Sequence, residues 1–349
     1  MKVDQFLRGP PSGDIVRGLH ELRVAVLDEG IPSNHDGMSD LRIYIWLILL
    51  NAPPVKTDIY LDLVRQNASP AYAKIRNDTF RTLTTDPLFR RRVTENSLTR
   101  VLNAVAWKLH DAHEARVNGW QSPPTLPAPH LRASDSVTGS PEQSLRFSAS
   151  PGGKASIAGT EGSDAGGVTP GQPGNEQPGY VQGMNVLAAP FLYAARSEAE
   201  AFVAFDTFLR REVPGYIKPS MDGVHRGLAL VDKVLAVVDP TLANYLHSKG
   251  LTASIYGFAS VLTLCACTPP LTEVLILWDF LFAWGVHLNI LCIVAQLVMM
   301  KDRILSENSP NHVLRSFPNM QAQKIKYIVL SMVKKLPEDL YEEIVRHAK

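Results

Sequence analysis

The stretch "TENSLTRVLNAVAWKLHDAHE", residues 94–114, decides the fold class. Leu98, Val101, Leu102, Val105 and Leu109 follow one another at steps of three, one, three and four. Such steps gather apolar side chains on one face of an α-helix, with its period of about 3.6 residues. A half-buried strand would show strict alternation instead. Thr94 stands just ahead of the run, where a hydroxyl can accept from the open N–H groups of the first turn. The same grammar recurs along the chain. Ser197 and Glu200 have the spacing of a capping box, and Phe202, Phe205, Phe208 and Leu209 follow at helical spacing. Ser69-Pro70 and Thr268-Pro269 each read as a cap followed by proline at the first helical position. "NYLHSKG", residues 244–250, ends like a helix with a glycine just beyond it. Strand-like alternation is nearly absent, so the pattern predicts an all-α protein of about ten or more helices.

Composition narrows the function classes. Lys and Arg number 35 against 34 Asp and Glu, a net charge of +1 that gives no electrostatic footprint for nucleic acid. With 45% hydrophobic residues the chain can bury a sizeable core. Cys265, Cys267 and Cys292 are odd in number and lack metal-ligand spacing, so they read as buried free thiols. The opening "MKVDQFLRGPPSGD" has no apolar run of the secretory kind. Residues 280–300, "FLFAWGVHLNILCIVAQLVMM", carry no formal charge with His287 neutral, and they are long enough for a bilayer. Gly285, His287, Asn289 and Gln296 interrupt them, so they read as two buried helices meeting near Trp284-Gly285, and no transmembrane segment is expected.

From Gln121 to Tyr180, 28 of 60 residues are Gly, Pro or Ser. Such a stretch buries too little surface to offset its ordering entropy and is predicted to be disordered. It is too long for a structureless loop inside a compact domain, so it is a linker or an insertion. Several chemistries are excluded by their missing signatures. "SPGGKAS", residues 150–156, lacks the first glycine of a P-loop, and no G-x-S-x-G or H-E-x-x-H occurs. His110 and His113 beside Glu114 lack further ligands, so no metal and no cofactor are expected.

Two stretches remain, "KIRNDTFRTLTTDP" (74–87) and "GYVQGMN" (179–185). Arg81 follows Ile75 and Asp78 at steps of three near the end of a short helix, ahead of the breaking run Thr84-Thr85-Asp86-Pro87. There it is free to project, with Asp78 one turn earlier to steady it; the plain alternative is a surface ion pair worth little. Gln182 stands between an aromatic segment and Gly183, where the Pro/Gly/Ser run gives way to apolar sequence. Its plain alternative is a residue at a helix start satisfying backbone donors. Gly183 would let a partner's backbone approach closely.

Taken in order, Ile75-x-x-Asp78-x-x-Arg81 and Tyr180-x-Gln182-Gly183 resemble the paired signature of TBC domains, all-helical GTPase-activating domains for Rab-type and related small GTPases. "LRIYIWLILL" (41–50), with Arg42 and Trp46, is similar to the family's first block, and "LWDFLFAWG" (277–285) resembles its Trp-Asp block. The resemblance implies a TBC domain over residues 14–305, interrupted by the 118–179 segment as an insertion, with C-terminal helices over 306–349 packed on it. It implies Arg81 and Gln182 as catalytic fingers supplied in trans, the Gln orienting water in place of the GTPase's own. Ile75, Asp78, Tyr180, Gly183 and Asp279 would support the fingers or meet the GTPase. The partner implied is a small Ras/Rab-like GTPase in its GTP form, and no independent catalytic activity of the chain itself is expected. The stretch 254–280 lacks the Trp-Phe pair usual in the Rab class. With "GVHLNIL" (285–291) it is similar to the family's fungal spindle-position checkpoint branch. That branch implies restraint of mitotic exit or septation, a second scaffold-like subunit, and a cytoplasmic place at the spindle pole body. The alternative is a TBC fold that docks the GTPase or the subunit without accelerating hydrolysis.

Overall fold

The computed structural model describes residues 3–11, 13–119 and 179–349. Among these residues there are eighteen α-helices, two short 3-10 turns and no strand. Met1–Glu114 together with Gln177–Lys349 form one compact unit; of the other, Ala115–Glu176, only residues 115–119 are described. The expected disordered insertion over 118–179 therefore lies almost wholly outside the described residues.

The first unit begins with α1 (Ile15–Glu29), α2 (Arg42–Leu49), α3 (Thr57–Arg65), α4 (Tyr72–Thr79), α5 (Pro87–Arg92) and α6 (Glu95–Val117). It resumes with α7 (Met184–Ala194), α8 (Glu198–Arg211), α9 (Asp222–Val238), α10 (Pro240–Ser248), α11 (Ala253–Tyr256) and α12 (Phe258–Leu262). It ends with α13 (Leu271–Trp284), α14 (Asn289–Met299), α15 (Lys301–Ser306), α16 (Pro310–Leu314), α17 (Ala322–Val333) and α18 (Glu338–Arg346).

Several helix ends follow from their caps. Thr94 Oγ1 accepts from the Ser97 N–H at 3.1 Å and starts α6, whose Leu98, Val101, Leu102 and Val105 are buried. Ser197 caps α8 through the Glu200 N–H at 3.2 Å. The Glu200 carboxylate turns back to the N–H of Arg196, one residue earlier than a capping box requires, at 2.9 Å. Beyond α10, Gly250 has φ +67 and the Leu251 N–H reaches the Leu246 carbonyl at 2.9 Å, the six-to-one closure that a left-handed glycine permits.

Two expected starts are displaced. α4 begins at Tyr72 instead of directly after Ser69-Pro70, because the Ser69 N–H is pinned to Asn103 Oδ1 at 2.9 Å and its hydroxyl is buried without a partner. α13 begins at Leu271 instead of after Thr268-Pro269. A residue preceding proline is pushed out of the α region, which bars both Thr268 and Pro269 from a helix.

The apolar run after residue 270 forms two helices, as its sequence predicts. α13 stops at Trp284, a 3-10 turn spans Val286–Leu288, and α14 follows. Both are apolar on all sides because both are packed on several sides: α13 against α1, α2, α7 and α17, α14 against α9, α12 and α17. No helix among the described residues is long and apolar enough to cross a membrane. Cys265 and Cys292 are buried, Cys267 is partly buried, and all three are free.

The centre of the core is aromatic. Trp46 from α2, Phe191 from α7, Phe208 from α8, and Trp278 and Phe282 from α13 surround one another, with Trp46 edge-on to Phe282 at 5.0 Å and Phe191 edge-on to Trp278 at 5.2 Å. Against this cluster lies a buried ion pair. Arg42 Nε donates to Asp279 Oδ1 at 3.0 Å and Nη2 donates to Oδ2 at 3.1 Å, while the Trp46 indole N–H donates to Oδ1 at 2.8 Å. A third guanidinium nitrogen, Nη1, donates to the Gly37 carbonyl. The first apolar block and the Trp-Asp block are thus joined directly, and α7 is left lying between that core and α4.

A candidate arginine and glutamine site

α4 carries the site on its C-terminal end. Ile75 is fully buried and fixes the helix against the core, so Asp78, three residues on, faces the same way. Its carboxylate is only 7% exposed. Oδ1 accepts from the Arg81 guanidinium, and Oδ2 accepts from the Tyr180 hydroxyl at 2.8 Å. Burial, the hydrogen bond to Asp78 and its negative charge all raise the Tyr180 phenol above its ordinary pKa, so it stays a protonated donor.

The contact belongs to a closed ring. Asn185, in the first turn of α7, places Oδ1 at 3.2 Å from the Tyr180 hydroxyl and accepts the Gly183 N–H at 3.2 Å. Its Nδ2 donates to Thr82 Oγ1 at 2.9 Å, and the Thr82 hydroxyl donates to the Asp78 carbonyl at 2.9 Å. Asp78, Tyr180, Asn185 and Thr82 therefore lock the turn after α4 to the entry of α7, and all four are buried. A satisfied buried ring of this kind fixes geometry, since breaking any member leaves others without partners.

The two candidate fingers emerge from this ring. The Arg81 side chain is 55% exposed, its guanidinium tethered on one edge by Asp78. Gln182 is exposed, and its side chain makes no hydrogen bond among the described residues. Its backbone is fixed on both sides, by the anchored Tyr180 two residues earlier and by Gly183 immediately after. Gly183 has φ +103, a conformation that strains any L side chain, and a Cβ there would come within 2.6 Å of Leu262 Cδ2. The space beside this glycine is filled by the chain's own Leu262 and is not held open for a partner's backbone.

The structure brings Ile75, Asp78, Arg81, Tyr180, Gln182 and Gly183 to one place. Asp279 stands apart: it is buried in the Arg42–Trp46 cluster, presents nothing to a partner, and can act only as support. The plain reading of Asp78 and Arg81 as a surface ion pair fails on the burial of Asp78. The plain reading of Gln182 as the residue that serves backbone donors fails too, because Asn185 performs that task. Thr82 and Asn185 carry no assigned role in the sequence reading although both lie inside the stretches that drew notice. Thr82 directly follows Arg81 and Asn185 lies three residues after Gln182, and nothing else in the sequence marks them.

Chemically the site offers one fixed, half-exposed cation and one unencumbered carboxamide. Both Asp78 oxygens are occupied, so it holds Arg81 in place and is not free to take a substrate proton. Among the described residues no group of three or more His, Cys, Asp or Glu side chains could hold a metal ion.

Comparison with known proteins identifies the family and the fold. Residues 174–305 match the family described as Rab-GTPase-TBC domain. The chain is 40% identical to Cell division control protein 16 of Schizosaccharomyces pombe over 95% of its own length and 88% of that protein. It is 34% identical to Mitotic check point protein BUB2 of Saccharomyces cerevisiae, over 99% of its length and 96% of that protein. The fold is also that of the Ypt/Rab-GAP domain of Gyp1p, with a TM-score of 0.59 at 16% identity, covering 90% of this chain and 92% of that one.

Proposed function

The chain belongs to the Rab-GTPase-TBC family, and from that premise we propose that it is a GTPase-activating protein that supplies Arg81 and Gln182 in trans to a small Ras/Rab-like GTPase in its GTP form. GTP hydrolysis is limited by charge developing on the phosphate oxygens and by the orientation of the attacking water. Arg81 neutralises that charge. A planar, permanently ionised guanidinium serves this better than an ammonium, and it costs no reorganisation because Asp78 already holds it. Gln182 orients the water through its free carboxamide, substituting for the GTPase's own switch glutamine.

The observation that carries this reading is the buried ring of Asp78, Tyr180, Asn185 and Thr82, from which one exposed guanidinium and one exposed carboxamide project. Relatives named for cell-division control and a mitotic check point favour a GTPase that governs mitotic exit or septation. With that goes a second, scaffold-like subunit and a cytoplasmic site at the spindle pole body.

Single-turnover hydrolysis against a panel of small GTPases tests the proposal. Arg81→Ala is expected to lower the stimulated rate by about 10³ or more, and Arg81→Lys to recover little. Gln182→Ala should be most damaging against a GTPase lacking its own switch glutamine. An Arg81→Ala chain with full activity overturns the finger assignment, and a wild-type chain that binds the GTPase without accelerating hydrolysis leaves a docking scaffold. A Gln182→Ala chain harmless in the glutamine-less background leaves Arg81 as the sole finger.

A further inference from the structure

Asp232, on α9, is a half-buried carboxylate with no lysine or arginine paired to it among the described residues. Both its oxygens accept the same donor, the Ala253 N–H at the start of α11, at 3.0 and 3.2 Å. An ionised carboxylate has about four acceptor positions, so most of its capacity is unused. Burial raises its pKa above the ordinary carboxylate value, and neither the Ala253 N–H nor nearby His247 brings it back. The Tyr256 hydroxyl is buried without a hydrogen-bond partner among the described residues. Burial and then the charge of Asp232 raise the pKa of that phenol. Asp232 also lines a cleft of about 210 Å³ between α9 and α10. Five of the nine lining residues are aliphatic, Leu235, Leu246 and Leu251 among them. The four polar ones include no lysine, no arginine and no second acid, so Asp232 sets the charge of the site.

We propose that this cleft takes an arginine side chain of a partner polypeptide, with the aliphatic stem along the leucines and the guanidinium on Asp232. A carboxylate drawn partly out of water without a counterion is held at a cost, and an incoming cation removes it. Long basic side chains suit such a wall because their stems bury apolar surface while their heads stay polar. Arginine fits better than lysine, since its planar fork can meet both oxygens and is less strongly hydrated. A bare metal ion fits poorly, because no group of three or more acid, His or Cys side chains gathers here or elsewhere among the described residues. A polypeptide is favoured over a small amine by the surroundings. Val237, next to the lining residue Ala236, and Ile255, three residues after the lining residue Thr252, are 42% and 52% exposed. Apolar residues flanking the arginine would cover them. α9 packs on α10 and α11, while α4 packs on α7, so the cleft uses other elements than the finger site and is independent of the GTPase-activating reading.

Selection from a displayed library of random short peptides tests this, run on the full wild-type, Asp232→Asn and Ala236→Trp chains. Asp232→Asn keeps an acceptor for the Ala253 N–H and removes the charge. Ala236→Trp, at an exposed position of α9, fills the cleft and leaves the carboxylate in place. Peptides recovered on the wild-type chain are expected to share one arginine between apolar residues. A fluorescent copy of the best of them should bind either variant about 10-fold or more weakly, and lose as much when its arginine becomes citrulline, which keeps the shape without the charge. Lysine at that place should recover part of the loss, and added salt should weaken binding. Arg81→Ala should bind the peptide as the wild type does. Absence of arginine among the recovered peptides overturns the proposal, and so does equal binding by Asp232→Asn. Agmatine that binds as tightly as the peptide overturns polypeptide docking and leaves a small-amine site. Should Asp232→Asn melt well below wild type, Ala236→Trp and the citrulline peptide decide the matter.

Discussion

Replacing Asp279 by alanine is expected to destabilise the protein severely while leaving each folded molecule fully competent. The Arg42 guanidinium is 1% exposed and relies on Asp279 through Nε and Nη2, while the Trp46 indole N–H relies on it as well. Removing the carboxylate strands a buried cation that keeps only the Gly37 carbonyl, and leaves a buried indole donor unpaired. Breaking a buried pair by deleting one partner costs about 3–5 kcal/mol. For a chain of this size each kcal/mol shifts the melting temperature by about 2 °C, so Asp279→Ala should melt roughly 6–10 °C lower. The double variant Arg42→Met with Asp279→Leu removes both charges and their desolvation cost. It keeps only the stranded indole, worth about 1–3 kcal/mol, and should recover most of the loss. Calorimetry on the single and double variants gives the stability, and single-turnover hydrolysis below the lowest transition gives the activity. A single variant that melts within about 1 °C of wild type would show that the ion pair is not structural. One that stays folded but loses hydrolysis a hundredfold would place Asp279 at the GTPase contact.

Asp78→Asn keeps the shape of the ring but removes the charge that tethers Arg81, so the rate at saturation should fall about 10-fold to 100-fold, less than on deleting Arg81 itself; an unchanged rate would mean that Arg81 is positioned by something else. Gly183→Ala must adopt a left-handed conformation and displace Leu262 Cδ2, at a combined cost of about 2–4 kcal/mol, and the added substitution Leu262→Ala should relieve none of the backbone part. Burial, with help from the nearby His347 and Lys349, lowers His287 to about 4, so it is neutral in the fold at pH 7. The unfolded chain takes up a proton below about pH 6.5 that the folded chain refuses until about pH 4, so stability should fall by up to about 3 kcal/mol across that window as the solution is acidified. Denaturant titrations at pH 7 and pH 4.5 read the loss, and His287→Phe should flatten it; a wild-type stability that does not fall on acidification would refute the assignment.

Periodicity made the helices legible because burial imposes it: α6 and α8 could be read from the spacing of their apolar side chains, and the stop at Gly250 from backbone geometry. Helix starts were less legible where proline was involved. Ser69-Pro70 and Thr268-Pro269 look like caps, but a tertiary bond to Asn103 and the steric effect of consecutive prolines decided the matter. At the site, Ile75, Asp78, Arg81, Tyr180, Gln182 and Gly183 were picked out by the resemblance of their two motifs, in that order, to the TBC signature; spacing alone left each with a plain alternative. Thr82 and Asn185 were not, because their importance comes from meeting one another across 103 residues, and single polar residues carry no period. Asp279 was legible as part of a block but not as a buried partner of Arg42, 237 residues away.

The ring at the site also bears on how the chain could be used. Asp78 meets Tyr180, Thr82 meets Asn185, Arg92 Nε meets the Tyr193 carbonyl at 2.6 Å, and Lys108 meets Asp206 at 2.7 Å. Each of these bonds joins a residue before 119 to one after 179, and none needs the covalent path between them. Arg81 lies on one side of that gap and Gln182 on the other. Two polypeptides divided there would each carry half of the finger pair, and only their reassembly would restore it. If the proposed finger pair is right, fusing inducible dimerisers to the halves is expected to place GTPase activation under the control of the dimerising ligand.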